Sequence, residues 1–556
     1  MTTELPAQEF GGLGREIVKL AQIVGTIAAT AFLLSPVQAE TNQQPGPNNA
    51  YPLAEAALRG DTEQIKSLLA EGAQVDQLSS VKTTIEQLTP LMLTPLGWAA
   101  ASGQVPAAKL LLQAGANVND SRGTNKNTPV HMAVLGGHTD MVKLLAAAGA
   151  DLDAHTESGM TPLVQSVIQG RGLYGTADTL IQLGADPNVE ATTIEAYPAS
   201  YIDPRGTVIG QTQELTAELE VRGTALTFAL RRNNRALAEL LIEAGANPNY
   251  SDSIGFSPLH YAASLGDEKL VSLLLEQGAN PNLKSQLQSD ITPLYLAVKN
   301  GHLGTLKLLI KAGADVNTLV EVESKTGEIG FKTPLLIAIE DANIEIAKLL
   351  LDNGANPNRL WPPDTEFDPA IVMTPLDAAI YGAQNHPTQA GKLVQLLITR
   401  GADVQARTWF RVAGLPKPYD DLALLAPPLF AAVMKGNPEL IQILVENGAD
   451  PNSTACSAAP KRSCLSALDL AAIVGDPARI SSLLQFGANP NNTDTSGMTA
   501  LHWAAYAGAS ESAQLLLAHG ANPKLKDKEG KTPLDYARES GNSELVTLLE
   551  NAKAMK

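Results

Sequence analysis

Apolar and polar positions alternate in two short helical patterns that recur along most of the chain. The first opens with Thr-Pro-Leu and places alanines at helical spacing, as in Thr94–Ala101, before a glycine ends it. The second carries a leucine stripe, as in Leu110–Leu112, and ends at Gly-Ala. A threonine hydroxyl caps a helix, and proline fits the first turn because its missing N–H would be unbonded there. The patterns therefore predict pairs of short helices, closed by glycines that can adopt positive φ.

The predicted helix pair recurs thirteen times, and the tightest spacing is 33 residues, as from Leu468 to Leu501. Neither helix of a pair can bury its apolar stripe alone, so neighbouring pairs must stack. Clear copies open at Thr94, Thr128, Thr161, Thr224, Ser257, Thr292, Thr333, Thr374, Thr499 and Thr532, and weaker copies at Tyr51, Pro427 and Ser466.

This period resembles that of the ankyrin-repeat family, whose Thr-Pro-Leu-His-x-Ala motif also recurs here with its histidine at His131, His260 and His502. The resemblance covers about residues 51–550. It implies an all-α repeat solenoid of about 13 units, each a helix–turn–helix with a β-hairpin finger. It also implies that the chain binds proteins through a concave face lined by the fingers and the first helices.

Six fingers are longer than a plain repeat requires, namely 77–93, 190–223, 319–331, 359–373, 405–426 and 453–465. Long insertions in solenoids gather on the binding face, and large aromatic and arginine side chains are typical interface anchors. The alternative is that each aromatic ring folds back to close its own loop. The candidate protein-binding residues in or beside these fingers are Trp361, Trp409, Phe410, Arg407, Arg411, Tyr419, Tyr197 and Tyr201. Trp98 and Trp503 lie in first helices and are predicted to pack within the repeats.

No constellation in the sequence predicts catalysis, a cofactor or a metal. Three of the eight histidines hold the motif position, where the family uses them for hydrogen bonds between repeats. The phosphate-loop, zinc-protease and nucleophile-elbow motifs are all missing. Asp420-Asp421, in a finger, is the nearest approach to a carboxylate cluster, and we assign it at most a contact role. The sequence predicts a protein that is not an enzyme, and an enzyme with a site among the long fingers is the alternative.

The charge of the chain restricts the kinds of partner. Its net charge is −18 and its pI about 4.9. Nucleic acid and anionic membrane surfaces both require a basic protein surface, so neither is expected as a partner. We expect a monomer that binds one or more proteins.

The first 39 residues predict an export signal. Arg15 and Lys19 precede an apolar run that ends at Leu34, and Val37–Ala39 provides small residues for cleavage. The alternative is an uncleaved inner-membrane anchor at residues 17–34. The predicted organisation is a signal peptide (1–39), a polar linker (40–50), the repeat array (51–552), which the insertions at 190–223 and 405–426 could subdivide, and a tail (553–556).

Cys456 and Cys464 are the only cysteines, and they share one finger. In an exported protein such a pair predicts a local disulfide, and two unrelated free thiols are the alternative. The sequence thus favours an exported bacterial adaptor that binds proteins in the periplasm. A secreted effector that binds a host protein is the alternative, and a structural spacer is disfavoured by the enlarged fingers.

Overall fold

A computed structural model describes residues 52–80, 91–169, 174–197, 217–285, 290–323, 329–360, 373–382, 385–411, 423–457 and 463–555. Within these residues the helices form thirteen helix–turn–helix pairs, as the repeat count predicted. The chain divides into two compact units, Met1–Pro293 and Leu294–Lys556. The fold class predicted from the sequence, an all-α repeat solenoid, is confirmed.

In the first unit, successive first helices pack side by side, and so do successive second helices. Its core is made of leucine and alanine, such as Leu96, Ala100 and Leu111, which are fully buried. The pairs are α1 Pro52–Arg59 with α2 Thr62–Ala70, α3 Pro95–Ala101 with α4 Val105–Gln113, α5 Pro129–Leu135 with α6 Thr139–Ala147, α7 Pro162–Ile168 with α8 Tyr174–Gln182, α9 Ala225–Arg231 with α10 Arg235–Glu243, and α11 Pro258–Leu265 with α12 Glu268–Glu276.

The second unit repeats this arrangement, and its first helix, α13, begins at the boundary residue Pro293. Leu429, Leu468 and Leu501 are buried at equivalent positions of neighbouring first helices. The pairs are α13 Pro293–Lys299 with α14 Leu303–Lys311, α15 Pro334–Glu340 with α16 Ile344–Asp352, α17 Pro375–Tyr381 with α18 Pro387–Thr399, α19 Pro428–Lys435 with α20 Pro438–Glu446, α21 Ala467–Val474 with α22 Pro477–Gln485, α23 Ala500–Tyr506 with α24 Ser510–Ala518, and α25 Pro533–Ser540 with α26 Ser543–Met555.

The predicted capping residues begin and end these helices. The Thr94 hydroxyl accepts a hydrogen bond from the Gly97 N–H at 3.1 Å, and Pro95 occupies the first turn of α3. Gly266 ends α11 with φ of 72°, a left-handed conformation that glycine adopts without steric penalty. Helix position and length are therefore set by local sequence.

Asparagine side chains join consecutive repeats at the exits of seven second helices in the described part of the chain. The Asn249 amide donates to the Gly278 carbonyl at 2.9 Å, while its oxygen accepts from the Asn280 N–H at 2.7 Å. Each such side chain thus satisfies one donor and one acceptor of the next repeat. The same two bonds are made by Asn119, Asn188, Asn317, Asn358, Asn452 and Asn491.

Short antiparallel strands form the fingers. Three hairpins stand alone in the described part of the chain, and the last four strands form one sheet in the order β10-β9-β8-β7. The strands are β1 Ser79–Ser80, β2 Met92–Leu93, β3 Ala191–Tyr197, β4 Ala217–Gly223, β5 Val320–Glu323, β6 Ile329–Lys332, β7 Thr408–Arg411, β8 Ala423–Ala426, β9 Thr454–Ser457 and β10 Cys464–Ser466.

Candidate protein-binding surface

Two consecutive long fingers fuse into a single four-stranded sheet. Strands β7 and β8 come from the 405–426 finger, and β9 and β10 come from the 453–465 finger. The two fingers join where Leu424 pairs with Ser457 and Leu425 pairs with Cys456. We call this four-stranded structure, β7 to β10, the two-finger sheet. It places residues from two repeats on one continuous surface.

The strand register aligns one residue from each strand in a row. Trp409 pairs with Leu425, Leu425 with Cys456, and Cys456 with Cys464. Directly opposed residues of antiparallel strands have their side chains on the same face of a sheet. We call these four residues the Trp409 row. Its side chains are half-buried except that of Cys456, which is buried.

The other face of the two-finger sheet is buried. Thr408, Leu424, Ala426 and Ala455, which alternate with the row residues along their strands, are all 5% exposed or less. This alternation is typical of a sheet with one face in a core and the other facing outward. The Trp409 row is therefore the more accessible face.

Arg407, two residues before Trp409, connects the two fingers. Its side chain is exposed, yet its Nη1 donates a hydrogen bond to the Thr454 carbonyl at 2.9 Å, at the start of β9. An arginine predicted to contact a partner thus also braces the sheet. Since guanidinium has five N–H donors, this single bond leaves donors for a ligand.

The remaining predicted anchors are placed by their backbone or lie outside the described residues. Phe410 pairs with Leu424 and Arg411 with Ala423 in the β7–β8 ladder. Tyr197 ends β3, where it pairs with Ala217. The residues outside the described part are Trp361, Tyr201 and Tyr419.

The structure joins Cys456 and Cys464 in a disulfide, as the sequence predicted. The two cysteines face each other across β9 and β10, with their Cα atoms 4.1 Å apart. Close Cα atoms are typical of an antiparallel pair that exchanges no backbone hydrogen bonds. The disulfide therefore ties a three-residue strand, β10, to its neighbour.

Exposed apolar residues near the ends of neighbouring first helices form a second candidate surface that sequence reasoning missed. Tyr506 is 51% exposed at the end of α23, and Val474 is 43% exposed at the end of α21, the adjacent first helix. Met434 and Ile473 are half-buried two residues before the turn glycines of their own repeats. We call Met434, Ile473, Val474 and Tyr506 the helix-end row. The sequence does carry a signal for these residues. Each of the four lies within two residues of a turn glycine, where the stripe of core positions along the first helix ends.

Within the helix-end row, Tyr506 packs against two other aromatic rings. The Tyr506 ring meets the rings of Trp503 and Tyr536 edge to face, with centroids 5.9 and 6.2 Å away. Trp503 Nε1 donates to Asp494 Oδ2 at 3.2 Å, and the Tyr536 hydroxyl donates to Asp527. Trp503 is buried, as is Trp98 in α3, so the prediction that both pack within the repeats is confirmed.

The motif histidines are buried and bonded, which excludes them from chemistry with solvent. His260 Nδ1 accepts from the Ser257 N–H at 3.1 Å, and its Nε2 donates to the Ile291 carbonyl of the next repeat at 3.0 Å. Burial lowers the pKa of His260 to about 4. His131 is bonded in the same way, between Thr128 and Met160, and burial lowers its pKa to about 4. The described residues contain no group of three or more side chains that could hold a metal.

Aspartates replace the motif histidine in three repeats of the second unit. Asp469 Oδ2 accepts from the Ser466 N–H at 2.8 Å and from its hydroxyl at 2.7 Å. Its buried Oδ1 has no hydrogen-bond partner among the described residues. Burial raises the pKa of Asp469 to about 7, opposed by the Ser466 hydrogen bonds and assisted by the nearby Asp494. Asp469 is 1% exposed, so this oxygen is an unbonded polar atom in the interior of its repeat.

In the described ranges, no helix has the length and apolar character needed to cross a membrane. The predicted export signal and the alternative anchor at residues 17–34 lie outside those ranges.

Profiles of known protein families match most of the chain. One described as "Ankyrin repeats (3 copies)" matches residues 19–122, 96–191, 209–285, 283–361 and 468–555, and one described as "Ankyrin repeat" matches residues 426–455. Well over half of the chain lies in these matches.

Curated relatives share parts of the chain at low identity. Human transient receptor potential cation channel subfamily A member 1 is 25% identical over 48% of this chain and 24% of its own length. The Caenorhabditis elegans ankyrin repeat and KH domain-containing protein mask-1 is 27% identical over 47% of this chain and 10% of its length. NF-kappa-B inhibitor alpha of Sus scrofa is 34% identical over 20% of this chain and 36% of its length. The chain therefore spans little more than a third of these relatives at most.

Proposed function

We propose that this chain, which belongs to the ankyrin-repeat family, is a monomeric scaffold that binds one or more other proteins through its first helices and long fingers. Ankyrin repeats mediate protein–protein interaction, and ankyrin-repeat proteins are generally binding scaffolds without enzymatic activity. The observation that carries the proposal is the pair of exposed side chains in the helix-end row, Val474 and Tyr506. Apolar residues exposed side by side on a soluble fold often mark contact sites.

A second part of the proposed surface is the two-finger sheet. Trp409 is accessible on its outward face, and Arg407 adds a cationic, hydrogen-bonding group beside it. Tryptophan, tyrosine and arginine are the residues that most often dominate binding energy at protein interfaces. The helix-end row and the two-finger sheet both lie in the second unit.

Substitution of Tyr506 tests the proposal. Proteins that co-purify with the full chain from its source cells are identified, and the dissociation constant of each purified partner is measured. Tyr506→Ala should weaken binding by about thirtyfold, the effect of removing an interface anchor worth about 2 kcal/mol. The matched control is Tyr174→Ala, because Tyr174 is 49% exposed but begins a second helix in the first unit. If Tyr506→Ala and Trp409→Ala both left every affinity unchanged, the proposed surface would be wrong.

We also propose that the protein is an exported bacterial protein that works in the periplasm. The leading 39 residues have the pattern of a cleaved signal, and disulfides such as Cys456–Cys464 persist in oxidising compartments. The alternative is an effector delivered to a host protein. N-terminal sequencing of the mature protein from fractionated cells decides the matter. A periplasmic chain that begins at Glu40 supports export, whereas a cytosolic chain that begins at Met1 contradicts it.

A further inference from the structure

The two-finger sheet offers a partner its side chains but few backbone groups. Strands β8 and β9 each have a strand on both sides, so their backbone groups are used within the sheet. The outer edge of β10 is met by the next repeat, where the Cys464 N–H donates to Thr495 Oγ1 at 3.1 Å and the Thr495 N–H donates to the Cys464 carbonyl at 3.2 Å. In the described residues β7 has no strand on its outer side, so backbone pairing would have to run along that edge. A ligand that lies across the face of the sheet must therefore satisfy its own backbone.

The Trp409 row has a definite length and chemical character. It crosses four strands, which at about 4.8 Å per strand spacing gives a strip of about 14 Å. The strip is formed by an indole ring, a leucine side chain and a disulfide, all apolar. Along a helix the same distance corresponds to about ten residues.

A positive charge lies beside the strip, because the Arg407 guanidinium reaches from β7 to the start of β9. Arg407 is exposed beside Trp409, in a chain whose net charge is −18. Its guanidinium is held in place by the bond to the Thr454 carbonyl, so a carboxylate would meet a positioned donor.

We propose that the Trp409 row binds the apolar side of an amphipathic helix from a partner protein, with a carboxylate of that helix against Arg407. A helix satisfies its own backbone hydrogen bonds, whereas an extended segment laid across this face would leave its N–H and C=O groups unpaired. The proposal rests on the scaffold function and specifies the class of partner segment for one of its surfaces.

A displayed peptide library tests the inference. The probe is a phage library of 14-residue helical peptides with leucines at positions i, i+4 and i+7 and all other positions randomised, selected against the full chain. We expect selected helices to carry Asp or Glu at a position that flanks the leucine stripe, where it can meet Arg407. We expect Trp409→Ala to weaken a selected peptide by about thirtyfold in fluorescence anisotropy. The control variant Tyr174→Ala, in a second helix of the first unit, should leave this affinity unchanged.

A charge exchange keeps the test independent of folding. Arg407→Glu should abolish binding of the acidic helix and permit binding of the same helix with its Asp or Glu changed to Lys. A variant that has merely unfolded would bind neither peptide, and hydrogen exchange of β7–β10 identifies that case. If Arg407→Glu is unfolded, Arg407→Lys replaces it as the test variant. Because lysine keeps the positive charge, Arg407→Lys should still bind the acidic helix.

Selected helices that bind Trp409→Ala as tightly as the unchanged chain would overturn the inference, as would selection of peptides without an acidic residue beside the leucine stripe. If the helix proposal failed in this way, weaker binding of a natural partner by Tyr506→Ala would still support the scaffold function. The experiments therefore distinguish failure of the helix proposal from failure of the scaffold proposal.

Discussion

At the scale of single residues, one motif position shows how the next repeat decides the chemistry of a side chain. His260, Asp377 and Asp469 occupy the same place in the first turn of their helices. A histidine reaches the carbonyl of the following repeat, and Asp377 receives a further hydrogen bond from the Thr408 side chain. Asp469 has no such donor for its Oδ1 in the described structure. The side chain at this motif position thus has all its buried polar atoms hydrogen-bonded in one repeat and one atom without a partner in another.

The buried histidines should make the fold sensitive to acid. The pKa of His131 and of His260 is about 4 in the folded protein and about 6.5 in the unfolded chain, so the unfolded state binds more protons between these values. Stability should therefore fall as pH drops from about 6.5 to about 4, by on the order of 3 kcal/mol for each of these two histidines. Urea unfolding over this range should show a shallower dependence in His260→Gln. The exposed His519→Gln is the control, and an equal effect of both variants would contradict the prediction.

Asp469 should have the opposite effect. Its pKa is about 7 in the folded protein and about 4 in the unfolded chain. The contribution of Asp469 to stability is therefore most favourable below about pH 4 and is lost as pH rises from about 4 to about 7. Asp469→Asn removes this loss because the amide cannot ionise, so it should stabilise by about 1–3 kcal/mol at pH 8. Asp535→Asn is the matched control, because hydrogen bonds from Thr532 lower the pKa of Asp535. If both substitutions destabilised at pH 8, the assignment of Asp469 would be wrong.

At the scale of secondary-structure elements, the two-finger sheet depends on very short strands. Strand β10 has three residues, and β8 and β9 share only two residue pairs. Isolated hairpins of this size are marginal in water. The disulfide and the Arg407 bond to Thr454 therefore contribute much of the order of this surface.

Removal of the disulfide should loosen the fingers and leave the helices intact. In Cys456→Ser/Cys464→Ser, the amides of β9 and β10 should exchange faster, and global stability should fall by about 2.5 kcal/mol, the chain-entropy value for so short a loop. Hydrogen exchange resolved by peptide measures both effects, with β5–β6, a finger without cysteine, as the internal control. Alkylation of two thiols in the untreated mature protein would contradict the presence of the bond.

The elements differ in how far the sequence could predict them. Helix pairs follow from local signals, since Thr-Pro starts and Gly-Ala ends recur around each leucine stripe. The joining of β8 to β9 does not, because it brings together segments about 30 residues apart whose contact depends on how repeats stack. Tyr506 was missed for a related reason. It follows the same helical motif as Ile473, and only the stacked neighbours decide that one side chain is half-buried and the other exposed.

At the scale of the whole molecule, the chain divides into two compact units. Stacked repeats gain stability from their immediate neighbours, so an array of thirteen pairs need not unfold in one step. Two buried tryptophans report on different units, Trp98 on the first and Trp503 on the second.

We expect a core substitution to destabilise mainly its own unit. Leu111→Ala should lower the transition monitored by Trp98 by about 2–5 kcal/mol and change the Trp503 transition little. Leu516→Ala, at a fully buried position of α24, is the matched substitution in the second unit. Denaturant unfolding of variants that keep one of these tryptophans, with the other tryptophans replaced by phenylalanine, separates the two signals. Equal shifts of both transitions by either substitution would show that the chain unfolds as one cooperative body.

The asparagine bonds between repeats have an evolutionary consequence. Asn317 and Asn358 make identical bonds to the repeats that follow them, so these two joints present the same donor and acceptor. If residues 318–358 were deleted, Asn317 would face Gly401 and Asp403 as Asn358 does now. Recombination can then duplicate or remove a unit bounded by such asparagines, and the hydrogen bonds at the new junction are still made. The 318–358 deletion variant should therefore keep the helical content per residue of the full chain. The helix pairs of such units can therefore replace one another, and the units differ mainly in their fingers.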